Sequence, residues 1–250
     1  MRKLFLIAIL FETVNAFGQG NTLYNVSMVE PKMGKSAAFE KSWKARVLKF
    51  HNGKDKRSVE EIVTGQNQGN LLLISGPSSI ADMDIDKASQ PAHDADYDAN
   101  VVPSVSVFTK VGTFRWVDTL SYNGKVAASK YSTTLYHLKP GKSPDLIAEI
   151  KRAITVNQKI NSTASYNTFI KLWPGSDPVI VVSNNLKDGF KQTDNVYPET
   201  KMMSDNFKIM YIQEYGQAMW DSRGKLLPEI CNSWETYLSK DRKDMSSVTK

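Results

Sequence analysis

The sequence predicts an α+β fold made of two tandem β-α-β-β-α-β units, and three observations predict it. First, Gly34-Lys35-Ser36 recurs 107 residues later as Gly141-Lys142-Ser143, each time between a strand-like run and a helix-like run. Second, the covered apolar run Leu71–Ile74 recurs about 108 residues later in Pro178–Ser183. Third, each of these runs is preceded by a strand pattern and a turn, so hairpin matches hairpin.

Two units fit a chain of 250 residues with 41% apolar and 23% charged side chains. Residues 1–18 are set apart. Arg2 and Lys3 precede the apolar Leu4–Phe11, and small residues follow at Val14–Ala16 and Ala16–Gly18. That is the pattern of a signal peptide; the competing reading is a buried N-terminal strand. The apolar run is far short of the ~20 residues a membrane helix needs, and no later run approaches that length. An exported protein, periplasmic or extracellular, is therefore expected. Removing Arg2, Lys3 and Glu12 lowers the net charge from +6 to +5. A basic balance can suit nucleic acid, but export argues against it and leaves a weak attraction to anionic surfaces. Cys231 is the only cysteine, so no intramolecular disulfide forms and packing alone holds the fold. A buried thiol is expected. Asn25 and Asn161 head glycosylation sequons, relevant only in a eukaryotic secretory route.

The first unit spans residues 19–125. Leu23–Val29 alternates as a strand and Pro31 ends it. Ser36 stands where a helix N-cap belongs. Phe39, Trp43, Val47 and Phe50 then form one helical face, and the row Lys41, Lys44, Arg46 and Lys49 is read as its solvated side. Asn52-Gly53 is a stop signal. Ser58–Thr64 and Asn70–Ser75 form a hairpin around Gly65–Gly69. Asp82, Asp84, Asp86, Asp94, Asp96 and Asp98 crowd around His93, and residues 82–104 read as a long surface excursion. Spacing of 3–5 predicts a second helix through Phe108, Val111, Trp116 and Leu120, ended by Asn123-Gly124.

The second unit spans residues 126–240. Val126–Leu138 is its opening strand. Ser143-Pro144-Asp145 is a strong helix start, with Leu146, Ile147, Ile150, Ala153 and Ile154 as the buried stripe. Ser165–Leu172 and Pro178–Ser183 flank the turn residues Trp173–Asp177. Ser204–Asp221 reads as a helix, and Ser233–Leu238 as a closing strand. Residues 241–250 form a polar tail expected to fray. One discrepancy stands: the tandem needs two strands between Asn123 and Gly141, and only one convincing run is present.

The order is the ferredoxin-like split βαβ arrangement. Two such units in one exported chain resemble the dimeric α/β-barrel superfamily, over roughly residues 22–240. The resemblance implies two sheets packed face to face as an intramolecular barrel with helices outside. It also implies a family of small monooxygenases, haem-handling enzymes and proteins without an assigned role. No active-site pattern carries over from it.

Candidate chemistry is sparse. The Gly-Lys-Ser turns are not phosphate loops, because Val29 and Tyr136 stand where a P-loop has its first glycine. The Asp runs lack the Gly and Glu of a calcium loop, which leaves Asp94, Asp96 and Asp98 as a minor metal alternative to a solvated loop. The histidines His51, His93 and His137 form no zinc pattern. Aligning the units sets Glu30 opposite His137. With Tyr136, and with Trp173 as a rim residue, these four could line a barrel mouth that binds a small molecule. His137 and Glu30 could also act as acid and base. The bland reading puts His137 at a strand end in water or in a hydrogen-bonded core position. The expectation is a protein that binds a small molecule or another protein, with no cofactor evident and no nucleic-acid partner. The alternatives are a cofactor-light oxidoreductase or lyase, or a haem-binding protein.

Overall fold

The computed structural model describes residues 22–51, 55–83, 91–173, 175, 177–194 and 196–247. The proposed signal segment, the Asn52-Gly53 stop, Asp84, Asp86, and Pro174 and Ser176 of the predicted turn lie outside the described residues.

The first half runs β1 (Leu23–Pro31), α1 (Ser36–Phe50), β2 (Arg57–Ile62), β3 (Leu71–Ser78), α2 (Pro91–Asp96) and β4 (Val105–Trp116). The second runs β5 (Lys130–Leu138), α3 (Ser143–Lys159), β6 (Tyr166–Trp173), β7 (Val179–Asn185), α4 (Pro198–Tyr215), α5 (Gln217–Ile230) and β8 (Cys231–Asp241). The strands close into one barrel in the order β1-β3-β2-β8-β5-β7-β6-β4. Each half thus contributes the same order, β4-β1-β3-β2 and β8-β5-β7-β6, which is the ferredoxin-like sheet. The two sheets face each other across the interior and also join edge to edge. One seam is β2–β8, from Glu60↔Asp241 to Ile62↔Ser239. The other is β4–β6, from Thr113↔Trp173 to Trp116↔Phe169. Closure leaves neither sheet an unpaired edge.

The repeated Gly-Lys-Ser has a backbone explanation. Gly34 and Gly141 take φ of 73° and 75° in the turn before α1 and α3, a region that favours glycine. The helices begin at Ser36 and Ser143, but neither makes a side-chain cap hydrogen bond. On α1, Phe39, Trp43 and Val47 are buried against Val29, Val59, Leu71 and Leu73 of the outer sheet face. On α3, Leu146 and Ile150 pack on Leu138, Tyr166 and Ile180 in the same way. Inside the barrel, Phe114, Val179 and Val181 meet Val26, Val111, Leu135 and Phe169.

Four expectations are corrected. The helix predicted through Phe108 and Trp116 is strand β4, followed by a 3-10 turn at Asp118–Leu120. β4 is the strand that seemed missing, and β5 begins only at Lys130. The second helix of the first half lies instead in the Asp-rich stretch. There α2 runs into a π turn at Tyr97–Val101, and Val101 is buried in the first core. The single helix expected over Ser204–Asp221 is two, broken at Gly216 with φ 85°. The tail is anchored through Ser247: Met245 is buried in the first core, and the Ser247 hydroxyl donates to the His51 carbonyl at 2.7 Å.

Candidate functional site

Stacking helices on the outer sheet face leaves two cavities at equivalent places, one in each half. The first is about 580 Å³ and lies between α1, the α2 segment and the outer face of β1, β3 and β4, with Ser27, Trp43, Arg46, Ser75, His93, Tyr97 and Phe108 in its wall. The second is about 730 Å³ and lies between α3, α5 and the outer face of β5, β6 and β7, with Tyr136, Glu149, Ile150, Tyr166, Trp220 and Arg223 in its wall. The repeat relates them: Trp43 answers Ile150, Arg46 answers Ala153, and Ser75 answers Val182, all 107 residues apart. Equivalent places in the two halves therefore carry different chemistries.

The first cavity is built around Arg46. Sequence spacing placed it on the solvated side of α1, yet it is only 4% exposed. Its guanidinium donates to the His93 carbonyl at 2.7 Å and to Asp96 at 3.3 Å. A second guanidinium nitrogen sits 2.7 Å from Nε2 of the His93 ring. The guanidinium also lies over the Phe50 and Tyr97 rings, at 5.4 and 5.0 Å. Burial and the positive charge of Arg46 hold His93 below the usual imidazole pKa, against an opposing hydrogen bond to Asp94. His93 is therefore neutral at pH 7. Burial opposes ionisation of Asp96, but hydrogen bonds from Lys49 and Arg46 outweigh it and hold the carboxyl low. His51 packs edge-on to His93 at 5.4 Å, and its Nδ1 lies 3.0 Å from Asp55. The Trp43 indole N–H borders this space, buried and without an acceptor among the described residues.

The second cavity is organised by Glu149, which is buried on α3. It accepts hydrogen bonds from Arg152 at 2.9 Å, Tyr211 at 2.8 Å and Arg223 at 2.5 Å. Arg223 is enclosed by Phe207, Tyr211 and Trp220 at 5.1, 4.9 and 5.2 Å. This network satisfies itself.

The residues singled out in the sequence are not gathered in one place. Tyr136 lines the second cavity, whereas alternation along β5 turns His137 to the opposite face. His137 lies opposite Ser233 and Val179, with Nε2 4.0 Å from Glu235. Glu30 is exposed on β1 opposite Val107. Trp173 ends β6 with 38% of its surface exposed. Of the acidic trio, Asp94 points to water beside His93, Asp96 is held by Arg46, Lys49 and Asn100, and Asp98 is exposed. Among the described residues, no three His, Cys, Asp or Glu side chains are placed to hold a metal ion.

Neither cavity fits a haem. Among the described residues, the second has no His, Cys or Met ligand in its wall, and burial raises the Tyr136 and Tyr166 phenols, the latter to about 12, so a phenolate ligand is disfavoured. In the first, one guanidinium nitrogen of Arg46 stands 2.9 and 2.7 Å from the two ring nitrogens of His93, so an iron on that ring would sit against a fixed cation.

Sequence reasoning missed Arg46, His93 and Tyr97 as a group. One signal was present. Arg46 stands three residues after Trp43 and four before Phe50, on the edge of the apolar stripe and not opposite it.

No family model matches the sequence, and no curated protein matches it either. Solved structures do match in fold. A proposed monooxygenase from Lactobacillus acidophilus aligns over 91% of this chain and 96% of its own, at 8% identity and a TM-score of 0.53. An anthrone oxidase-like protein aligns over 89% and 92%, at 8% identity and 0.53. A proposed monooxygenase from Fusobacterium nucleatum aligns over 90% and 94%, at 11% identity and 0.51. These likenesses are of fold alone: two ferredoxin-like sheets closed into one barrel with helices outside. No helix among the described residues is long and apolar enough to cross a membrane.

Proposed function

We propose that this is an exported protein that binds a small molecule in the cavity between α1, the α2 segment and the sheet, and not in the barrel mouth. The observation that carries the reading is the cavity itself. It has the size of a small-molecule site, an aromatic wall, and the converging polar groups of Arg46, Arg57 and His93. Export rests on the pattern of residues 1–18. The test is a ligand-observed NMR fragment screen on the wild type and on Ser75→Trp, which puts an indole into the wall where the polar groups converge. Hits lost in the variant support the reading. Hits retained there, or no hits at all, refute it. N-terminal sequencing of protein from an exporting host checks the leader, with a new terminus expected next to residue 18.

A second reading, a cofactor-free oxidoreductase, is favoured by one observation, the neutral His93 beside the Arg46 cation. A base in that state can take a proton from a bound acidic O–H while the guanidinium stabilises the resulting oxyanion. The names of the proteins similar in fold, a monooxygenase and an anthrone oxidase-like protein, agree with this reading. With a hydroquinone as substrate and dioxygen as the two-electron oxidant, giving the quinone and hydrogen peroxide, His93→Gln should abolish turnover and leave affinity within a few-fold. Unchanged turnover removes the reading.

A further inference from the structure

We propose that the first cavity selects a monocarboxylate with a planar apolar body, the carboxylate seated between Arg46 and Arg57. This rests on the small-molecule reading above and adds the ligand class. Both guanidinium groups line the cavity. The charges that face them differ in exposure. Asp96 is the least exposed of the anions, with 15% of its side chain accessible, held at 3.3 Å by Arg46 and also at 3.3 Å by Lys49. Asp55, which holds Arg57 at 3.0 Å, and Asp94 at the mouth are both more than half exposed, as is Lys49. Water and salt screen those three. The less exposed set of Arg46, Arg57 and Asp96 therefore keeps one positive charge, and His93, held below the usual imidazole pKa, does not add to it.

Burial holds the Arg57 guanidinium below its ordinary value; the pull of Asp55 opposes this, and repulsion from Arg46 adds to it. An anion between the two groups relieves both effects, and a carboxylate matches the guanidinium fork in geometry. The apolar body has its own wall, where Tyr97 and Phe108 meet edge to face at 6.3 Å.

The experiment is isothermal titration of the mature full-length chain with 2-naphthoate and with its neutral isostere 2-naphthamide. The acid is expected to bind roughly tenfold or more tightly than the amide, the size of a charge-assisted hydrogen bond. Arg57→Gln is the first variant, because the Asp55 it leaves behind is half exposed and keeps its contact with His51. It should weaken the acid about tenfold and leave the amide unchanged. Equal affinity for acid and amide overturns the carboxylate assignment and leaves the cavity reading standing. A preference for the acid that survives in both Arg57→Gln and Arg46→Met puts the anion elsewhere and overturns it too. Binding of neither probe at millimolar concentration overturns this inference and the small-molecule reading together.

Discussion

Glu60 makes the stability of this barrel depend on pH in a way that can be worked out from its surroundings. It sits on β2 at the short seam with β8, directly across from Asp241, and accepts a 2.6 Å hydrogen bond from Ser239. Burial, partly offset by that hydrogen bond and aided by the Asp241 charge, raises its pKa from 4.5 to about 7. The folded state therefore prefers the neutral acid. Below 4.5 both the folded and the unfolded chain carry the proton, and there is no penalty. Between 4.5 and about 7 the unfolded chain releases it first, so stability falls as pH rises and the loss is complete above 7. The gap between the two values corresponds to roughly 3 kcal/mol, an upper figure for a group that water partly reaches. Glu60→Gln keeps an acceptor for Ser239 and removes the ionisation. Urea denaturation followed by tryptophan fluorescence should find the variant about 1–3 kcal/mol more stable than wild type at pH 8, with no such gain at pH 4.5. A difference between the two proteins that is the same at both pH values would refute the reasoning.

Three further outcomes are expected. Met245→Ala should cost about 2–4 kcal/mol by urea denaturation, because this side chain is 1% exposed in the first core; a cost under about 0.5 kcal/mol would show that the tail is not anchored. Glu149→Gln should destabilise by roughly 2–3 kcal/mol and lower the Tyr211 pKa, which burial and the Glu149 hydrogen bond raise to about 12; a spectroscopic titration with no change at Tyr211 would contradict the network. Arg242 hydrogen-bonds Asp244 and Glu40, and these bonds hold both carboxyls below their ordinary values of 3.8 and 4.5. That stability is present above those values and is lost as pH falls through the lower folded ones, so Arg242→Ala should shift acid unfolding to higher pH. An unchanged acid midpoint would count against it.

The misread β4 shows where a one-dimensional reading fails. Phe108, Val111, Trp116 and Leu120 happen to fall at spacings that suit a helix. The contrary signal was also there. Val105, Val107, Thr109, Val111 and Thr113 place a β-branched residue at every second position, the period of a strand. The helical segment that was missed, Pro91–Val101, has little apolar periodicity to announce it. It docks through Tyr97 and Val101, and through the charge of Arg46 on Asp96. Glu30 and His137 correspond in the repeat, but that correspondence fixes only their positions along equivalent strands, not what they touch.

The tandem organisation, the Gly-Lys-Ser turns into α1 and α3, the two covered hairpins, and the apolar stripes that press those helices onto the sheet are legible in the residues. These are local or periodic properties, and backbone sterics and burial dictate them without reference to distant residues. Long-range packing alone sets the joins of the sheets at β2–β8 and β4–β6 and puts the cavities under the helices. It also decides that Arg46 is buried against a segment some 47–50 residues away in the chain. A charged side chain on the margin of an apolar stripe can turn to water or fold under its neighbour, and its covalent surroundings do not choose between the two. The carbonyl of His93 and the carboxylate of Asp96 do.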